Sequence, residues 1–202
     1  DAGSTVVAED GDCDGVLTAD DCDDSDANAS FPSIDLDCPL SLHASLISAG
    51  DSHTCGVNSD GTVQCWGYND FWQANPPSGV FTHVSAGWGH TCGIESGGTV
   101  ACWGSNMYGQ SNALSGTFTH LSAGYNHTCG IDSSGTVQCW GSNADGKSSP
   151  PSGVFSDISA GYDHTCALMY TGTVQCWGSD THGQSSPPSG VFTQISSGSY
   201  NT

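Results

Sequence analysis

Residues 53–67 read HTCGVNSDGTVQCWG. The phrase returns without a gap as HTCGIESGGTVACWG at 90–104, HTCGIDSSGTVQCWG at 127–141 and HTCALMYTGTVQCWG at 164–178. The period is 37 residues, with Cys55, Cys92, Cys129 and Cys166 in one phase and Cys65, Cys102, Cys139 and Cys176 in another. A fixed period of this length marks a solenoid, propeller or stacked array. Runs such as T-V-Q-C-W alternate with period two and are bounded by Gly, Ser, Asn and Pro, which reads as short strands and turns. No helical stripe of useful length appears.

Each phrase predicts a hairpin. In the first, the turn falls at Ser59-Asp60-Gly61, and Cys55 and Cys65 lie symmetrically about it. They therefore face each other across adjacent antiparallel strands, at about the separation a disulfide needs. The same reasoning predicts bridges Cys55–Cys65, Cys92–Cys102, Cys129–Cys139 and Cys166–Cys176. The rival pairing joins neighbouring repeats, for example Cys65 with Cys92. Each intra-repeat bridge closes a short loop and adds about 2–3 kcal/mol.

A second phrase precedes the hairpins: FTHVSAG from Phe81, FTHLSAG from Phe118, FSDISAG from Phe155 and FTQISSG from Phe192. Phe81, Phe118, Phe155 and Phe192 are candidate core residues. Trp66, Trp103, Trp140 and Trp177 follow the second cysteines and are expected to pack between adjacent sheets. The alternative is an exposed row of indoles that binds sugar rings. His53, His90, His127 and His164 are expected to hydrogen-bond between repeats. A His/Cys zinc cluster would require these cysteines to be reduced.

The expected organisation is a tail over 1–8, an acidic segment over 9–38 and a repeat array over 39–202. The array carries four hairpins and a surplus strand at 191–198, in phase with residues 46–50. Either a longer chain completes a ring, or the array stays open and its terminal strand docks on a second copy. An unpaired strand edge invites such head-to-tail addition.

These phrases resemble the regulator of chromosome condensation repeat, in the cysteine-bearing form of bacterial secreted proteins. The marks are S-A-G-x-x-H-T-C, G-T-V-x-C-W-G and the G-Q-S at Gly109–Ser111 and Gly183–Ser185. The resemblance covers residues 46–202 and implies β-propeller blades of four strands, normally seven to a ring. Members of that family include a chromatin-bound nucleotide-exchange factor and a propeller that inhibits β-lactamase, so the fold does not fix the function.

Charge narrows the choice. The chain has 21 acidic residues against Lys147 alone, a formal net charge of −20. Such a surface repels phosphate backbones and anionic lipid, which argues against nucleic-acid partners. No apolar run is long enough for direct membrane insertion as a helix. Eleven cysteines in 202 residues point to an oxidising compartment, extracellular or at the cell surface. The start at Asp1, without a signal peptide, reads as a processed chain or a fragment.

Twelve of the acids fall in residues 1–38. Asp10, Asp12 and Asp14 with Gly15 fill positions 1, 3, 5 and 6 of a calcium loop. Val16 supplies the position-7 carbonyl, Thr18 falls at 9 and Asp21 at 12. Asp21, Asp23, Asp24 and Asp26 form a candidate second site. Calcium suits this segment because it takes several hard oxygens around one point. The segment is similar to thrombospondin type 3 repeats and to the bacterial Asp/Cys metal-binding motif. Cys13 and Cys22 are expected to staple it, leaving Cys38 odd, although other pairings among the three are open. Asn28 and Asn126 begin N-glycosylation sequons.

The expected function is a non-enzymatic structural or binding scaffold, stabilised by calcium and disulfides. Its partners would be further copies, other surface proteins or glycans. The alternative is a subunit of an extracellular filament that grows by terminal strand exchange. An enzyme is disfavoured. No G-x-S-x-G elbow appears, there is no Arg, and the acids of the repeat body are scattered.

Overall fold

The structure is a computed structural model and describes residues 47–202. The calcium ligands expected between Asp10 and Asp26, the Cys13–Cys22 staple and the Asn28 sequon lie outside the described residues. The array itself is all-β. It consists of four three-stranded antiparallel meanders joined in sequence.

The first sheet holds β1 (Ile47–Ala49), β2 (His53–Val57) and β3 (Val63–Gly67). The second holds β4 (Phe81–Ala86), β5 (His90–Glu95) and β6 (Val100–Gly104). The third holds β7 (Phe118–Ala123), β8 (His127–Asp132) and β9 (Val137–Gly141). The fourth holds β10 (Phe155–Ala160), β11 (His164–Met169) and β12 (Val174–Gly178). The blades thus have three strands each, where the family resemblance implied four. A short 3-10 turn at Ala144–Gly146 is the single helical element among the described residues.

Within each blade the hairpin closes as the turn chemistry requires. In the first, Gly61 N–H donates to Asn58 O and Asn58 N–H to Thr62 O. Gly61 takes φ +80°, a left-handed conformation that costs glycine little. Cys55 then pairs directly with Cys65, and the corresponding pairs form in the other three hairpins. The bridges are Cys55–Cys65, Cys92–Cys102, Cys129–Cys139 and Cys166–Cys176, with Cα separations of 4.0–4.1 Å. Rival pairing between repeats is not present.

The core sits between blades. Cys55 and Val57 of the first blade pack against Phe81, Val84 and Trp103 of the second. Cys92 and Ile94 pack likewise against Phe118, Leu121 and Trp140, and Cys129 and Ile131 against Phe155, Ile158 and Trp177. The disulfide is therefore a wall of each core. Phe81 meets Trp103, and Phe118 meets Trp140, edge to face at about 6 Å.

Three of the four tryptophans pack as expected between sheets. Trp103, Trp140 and Trp177 are 9%, 6% and 9% exposed, whereas Trp66 at the open face of the first blade is 54% exposed. Residues 191–198 depart from the expected surplus strand. They hold the place of a first strand: Phe192 N–H donates to Gly172 O as Phe155 N–H does to Gly135 O. They form no ladder, because β1, β4, β7 and β10 each pair with the hairpin that follows them and no such hairpin follows Phe192 in this sequence.

Candidate binding groove

The blades are locked by one hydrogen-bond relay used four times. Thr91 Oγ1 donates to Gln73 O at 3.0 Å and lies 2.7 Å from His53 Nε2. A hydroxyl has one proton to give, so the histidine must be the donor from Nε2. His90 meets Thr128, His127 meets Thr165 and His164 meets Thr202 in the same way, at 2.7–2.8 Å. Each histidine thereby keeps Nδ1 bare and unpartnered. Burial pushes the pKa values of all four down, and those of His90 and His127 to about 3.

The acceptor carbonyls also receive the tryptophans. Trp103 Nε1 donates to Gln73 O, Trp140 Nε1 to Gln110 O and Trp177 Nε1 to Lys147 O. A serine ladder adds a second line of contacts. Ser48, Ser85, Ser122 and Ser159 accept through Oγ from the backbone N–H of Ala86, Ala123, Ala160 and Ser197 in the next repeat. This relay makes the stack rigid and positions the turns between first and second strands.

Those turns, opening on Gly50, Gly87, Gly124 and Gly161, line up with Gly198 as the floor of a shallow groove of about 230 Å³. Successive turns are tied where Asp51 N–H donates to Gly87 O, Trp88 N–H to Gly124 O and Tyr125 N–H to Gly161 O. The residue after each glycine lines the groove. Trp88 and Tyr125 have ring centroids 4.9 Å apart, Tyr125 and Tyr162 stack at 3.9 Å, and Tyr200 follows Tyr162 at 6.1 Å. The hydroxyl of Tyr162 has its pKa pushed up to about 12, first by its Tyr125 neighbour and also by the Asp163 carboxylate. The groove thus offers half-exposed aromatic edges, phenol hydroxyls and backbone polar groups, with carboxylates beside them.

Sequence reasoning found the histidines but missed this row, because the phase of Trp88, Tyr125 and Tyr162 carries Asp51 and Ser199 at its two ends and so does not read as one repeated residue. The signal was the 37-residue spacing itself. Sequence reasoning named Lys147, the chain's one Lys or Arg, but not its role. Lys147 is 2% exposed and pairs with Asp163 at 2.6 Å. It stands in the phase of Gln73, Gln110 and Gln184, where its backbone oxygen does the same work. Asn126 is half-buried and the Thr128 of its sequon is fully buried. Among the described residues no three His, Cys, Asp or Glu side chains converge to hold a metal.

Stacked, disulfide-walled meanders joined by a repeated inter-blade relay define a propeller-type repeat protein. The chain belongs to the Regulator of chromosome condensation (RCC1) repeat family, whose repeat model matches residues 45–73, 81–110, 118–147 and 155–184. Among solved structures it is similar to the ectodomain of the Physcomitrella patens receptor kinase CR4, with 28% identity, a TM-score of 0.65 and coverage of 75% of this chain and 46% of that one. The CRINKLY WD40 ectodomain of the Arabidopsis thaliana receptor kinase ACR4 is 26% identical, with a TM-score of 0.66 and coverage of 77% of this chain and 65% of that one. Saccharomyces cerevisiae Prp20p, at 18% identity and TM-score 0.58 over 69% of this chain and 45% of its own, shares the fold. The chain therefore spans less than two thirds of the length of each. A search of curated protein sequences gave no match.

Proposed function

We propose that this chain is a secreted or cell-surface, non-enzymatic binding scaffold whose ligand-facing surface is the aromatic groove. The observation that carries the reading is the groove itself: a rigid row of half-exposed rings, Trp88, Tyr125 and Tyr162, held by a hydrogen-bonded frame that needs none of them for its core. The similarity to two receptor ectodomains supports a role in extracellular recognition. The four disulfides favour an oxidising, extracellular location. The Asp10–Asp26 segment adds calcium as the cofactor that orders the N-terminal region, on its donor spacing alone.

The test uses the labelled chain and intact cells of the producing organism. Saturable binding, displaced by unlabelled chain and weakened at least tenfold in a Tyr125→Ala/Tyr162→Ala variant of unchanged melting temperature, supports the groove. Binding that does not saturate, or that the variant leaves intact, removes the groove from the reading.

A filament subunit is the second reading, favoured by the mismatch between the two faces of the array. Trp66 is exposed where its counterparts are buried, and Phe192 and Ile195 are only half-covered at the other end. In an interior core the equivalents of these positions, Phe81, Val84 and Trp103, pack together against Cys55 and Val57 of the preceding blade, so Trp66 of a second copy would complete the core that Phe192 and Ile195 half-cover on the last blade of the first. Electron microscopy decides it: fibres lost on Trp66→Asp support polymerisation, and identical discrete particles from both proteins exclude it.

A further inference from the structure

The loop after the first hairpin breaks the repeat at the positions that matter for a ligand. After the glycine that ends each third strand, three loops carry serine: Ser105, Ser142 and Ser179. The first carries Tyr68. Four residues on, Gly109, Gly146 and Gly183 take φ of +79° to +83°, and the first loop has Trp72 at φ +68°. A bulky residue in that region is strained. Trp72 is also 70% exposed, so burial does not offset the strain.

The loop loses hydrogen bonds as well. Gln110 Nε2 donates to Ser105 Oγ, but with Tyr68 in the serine's place the fully buried Gln73 Nε2 has no partner. Ser111, Ser148 and Ser185 tie back to the carbonyls of Ser105, Ser142 and Ser179, and Ala74 has no hydroxyl to do so. Strain and unmet polar groups that persist together in one copy of a repeat point to a function for that copy.

What the departures build is a pocket of about 270 Å³ lined by Asp51, Ser52, Tyr68, Phe71 and Trp88. The Tyr68 and Phe71 rings are 6.2 Å apart at 73°, and Phe71 and Trp88 are 5.7 Å apart at 42°. Tyr68 is held by donating its hydroxyl to Asp70 at 2.9 Å, and Asp51 accepts from Ser52 at 2.7 Å. Gly89 makes room: a Cβ there would sit 3.3 Å from the Phe71 ring. Three angled aromatic rings with one carboxylate form the arrangement that binds organic cations through ring faces and charge together. Among the described residues the only side-chain cation, Lys147, is buried against Asp163, so none of them supplies an occupant. The acidic surface attracts one from outside.

We propose that Tyr68, Phe71, Trp88 and Asp51 form a cage for a methylated ammonium group. The inference rests on the scaffold reading and adds the ligand class. The same headgroup occurs in free choline, in choline lipids and in trimethylated lysine side chains.

Titration with tetramethylammonium chloride and with choline, followed by tryptophan fluorescence and by broadening of the ligand methyl resonance, tests it. Saturable binding is expected, with the neutral isostere 3,3-dimethylbutan-1-ol at least tenfold weaker. Phe71→Leu is expected to lose at least tenfold and Asp51→Asn several-fold, both with unchanged melting temperature. A trimethyl-lysine peptide and phosphatidylcholine vesicles, run as competitors, identify the source. Equal binding of the neutral isostere, an unaffected Phe71→Leu variant or no saturable binding of either cation overturns the cage. None of these measurements involves Tyr125 or Tyr162, so cell binding that still depends on those residues would leave the scaffold reading standing.

Discussion

Acid should open this fold through its histidines. His90 and His127 are fully buried, each donates from Nε2, and each has a bare Nδ1 that no group is placed to receive once protonated. Their pKa values of about 3 are set first by desolvation, with smaller contributions from neighbouring titratable groups: His53 for His90, and Lys147, His90 and His164 for His127. In the unfolded chain they return to about 6.5. The unfolded state therefore binds more protons between about pH 3 and 6.5, and stability rises with pH across that window. At pH 4.5 each histidine costs about 2–3 kcal/mol relative to neutral pH, and the two together about 5 kcal/mol. His53 and His164 are shifted the same way and add to the slope.

The assay is denaturant unfolding of the oxidised protein between pH 4.5 and 7.5, with His127→Asn as the control. Asn201 occupies the histidine's phase in this sequence, which makes asparagine the natural replacement. The window also avoids Asp132, whose pKa is lowered to about 2, first by the Ser134 hydroxyl. Its contribution to stability is lost only as pH falls below about 4. Below about pH 6 the wild type should lose stability with a slope approaching about 3 kcal/mol per pH unit from the two histidines, flattening above about pH 7. The variant should lose about half of that slope. A flat profile from pH 5 to 7, or a variant with the wild-type slope, would refute the neutral, Nε2-protonated assignment.

Removing indoles should separate the blades by position. Trp140→Ala should cost about 3–5 kcal/mol, while Trp66→Ala should cost under about 1 kcal/mol, as read by unfolding midpoints. Replacing both Cys129 and Cys139 by alanine should cost about 2–3 kcal/mol for the cross-link beyond the lost sulfur packing, so the gap between wild type and variant should shrink by about that amount under reduction. Trp72→Gly should stabilise by about 1 kcal/mol, since three loops already use glycine at that φ; a lowered midpoint would contradict the strain assigned there. Asp163→Asn should destabilise more than Lys147→Gln, because the first leaves a buried ammonium unpaired and the second restores the residue of the other repeats. Calorimetry should show calcium binding that Asp12→Asn/Asp14→Asn abolishes.

The frame was legible because it is repeated. Identical chemistry at every thirty-seventh position left few readings of the hairpins, the bridges and the interior tryptophans. Symmetry of the cysteines about Ser59-Asp60-Gly61 gave the pairing, since cross-strand register follows from turn geometry. The role of the histidines followed from their phase but not their partner, because Thr91, Thr128 and Thr165 belong to the following blade and contact needs the stack. Strand count per blade and the pairing of 191–198 were not legible. Both depend on whether a neighbouring strand is present, which local pattern does not encode.

The cage was illegible for the opposite reason. A periodic reading averages over copies, and what carries specificity here is the deviation of one copy from the rest. Tyr68 for serine, Trp72 for glycine and Ala74 for serine look like neutral drift when the loops are aligned. The structure shows each to be unfavourable locally: a lost partner for Gln73, a left-handed tryptophan and a missing tie to the loop carbonyl. Random drift in a marginal loop would be expected to spread such losses over several repeats. Their concentration beside the one pocket that combines Tyr68, Phe71, Trp88 and Asp51 is better explained by a ligand, whose binding free energy offsets them only when it is present. The stability gained by Trp72→Gly in the empty protein is therefore a measure of what the binding loop gives up.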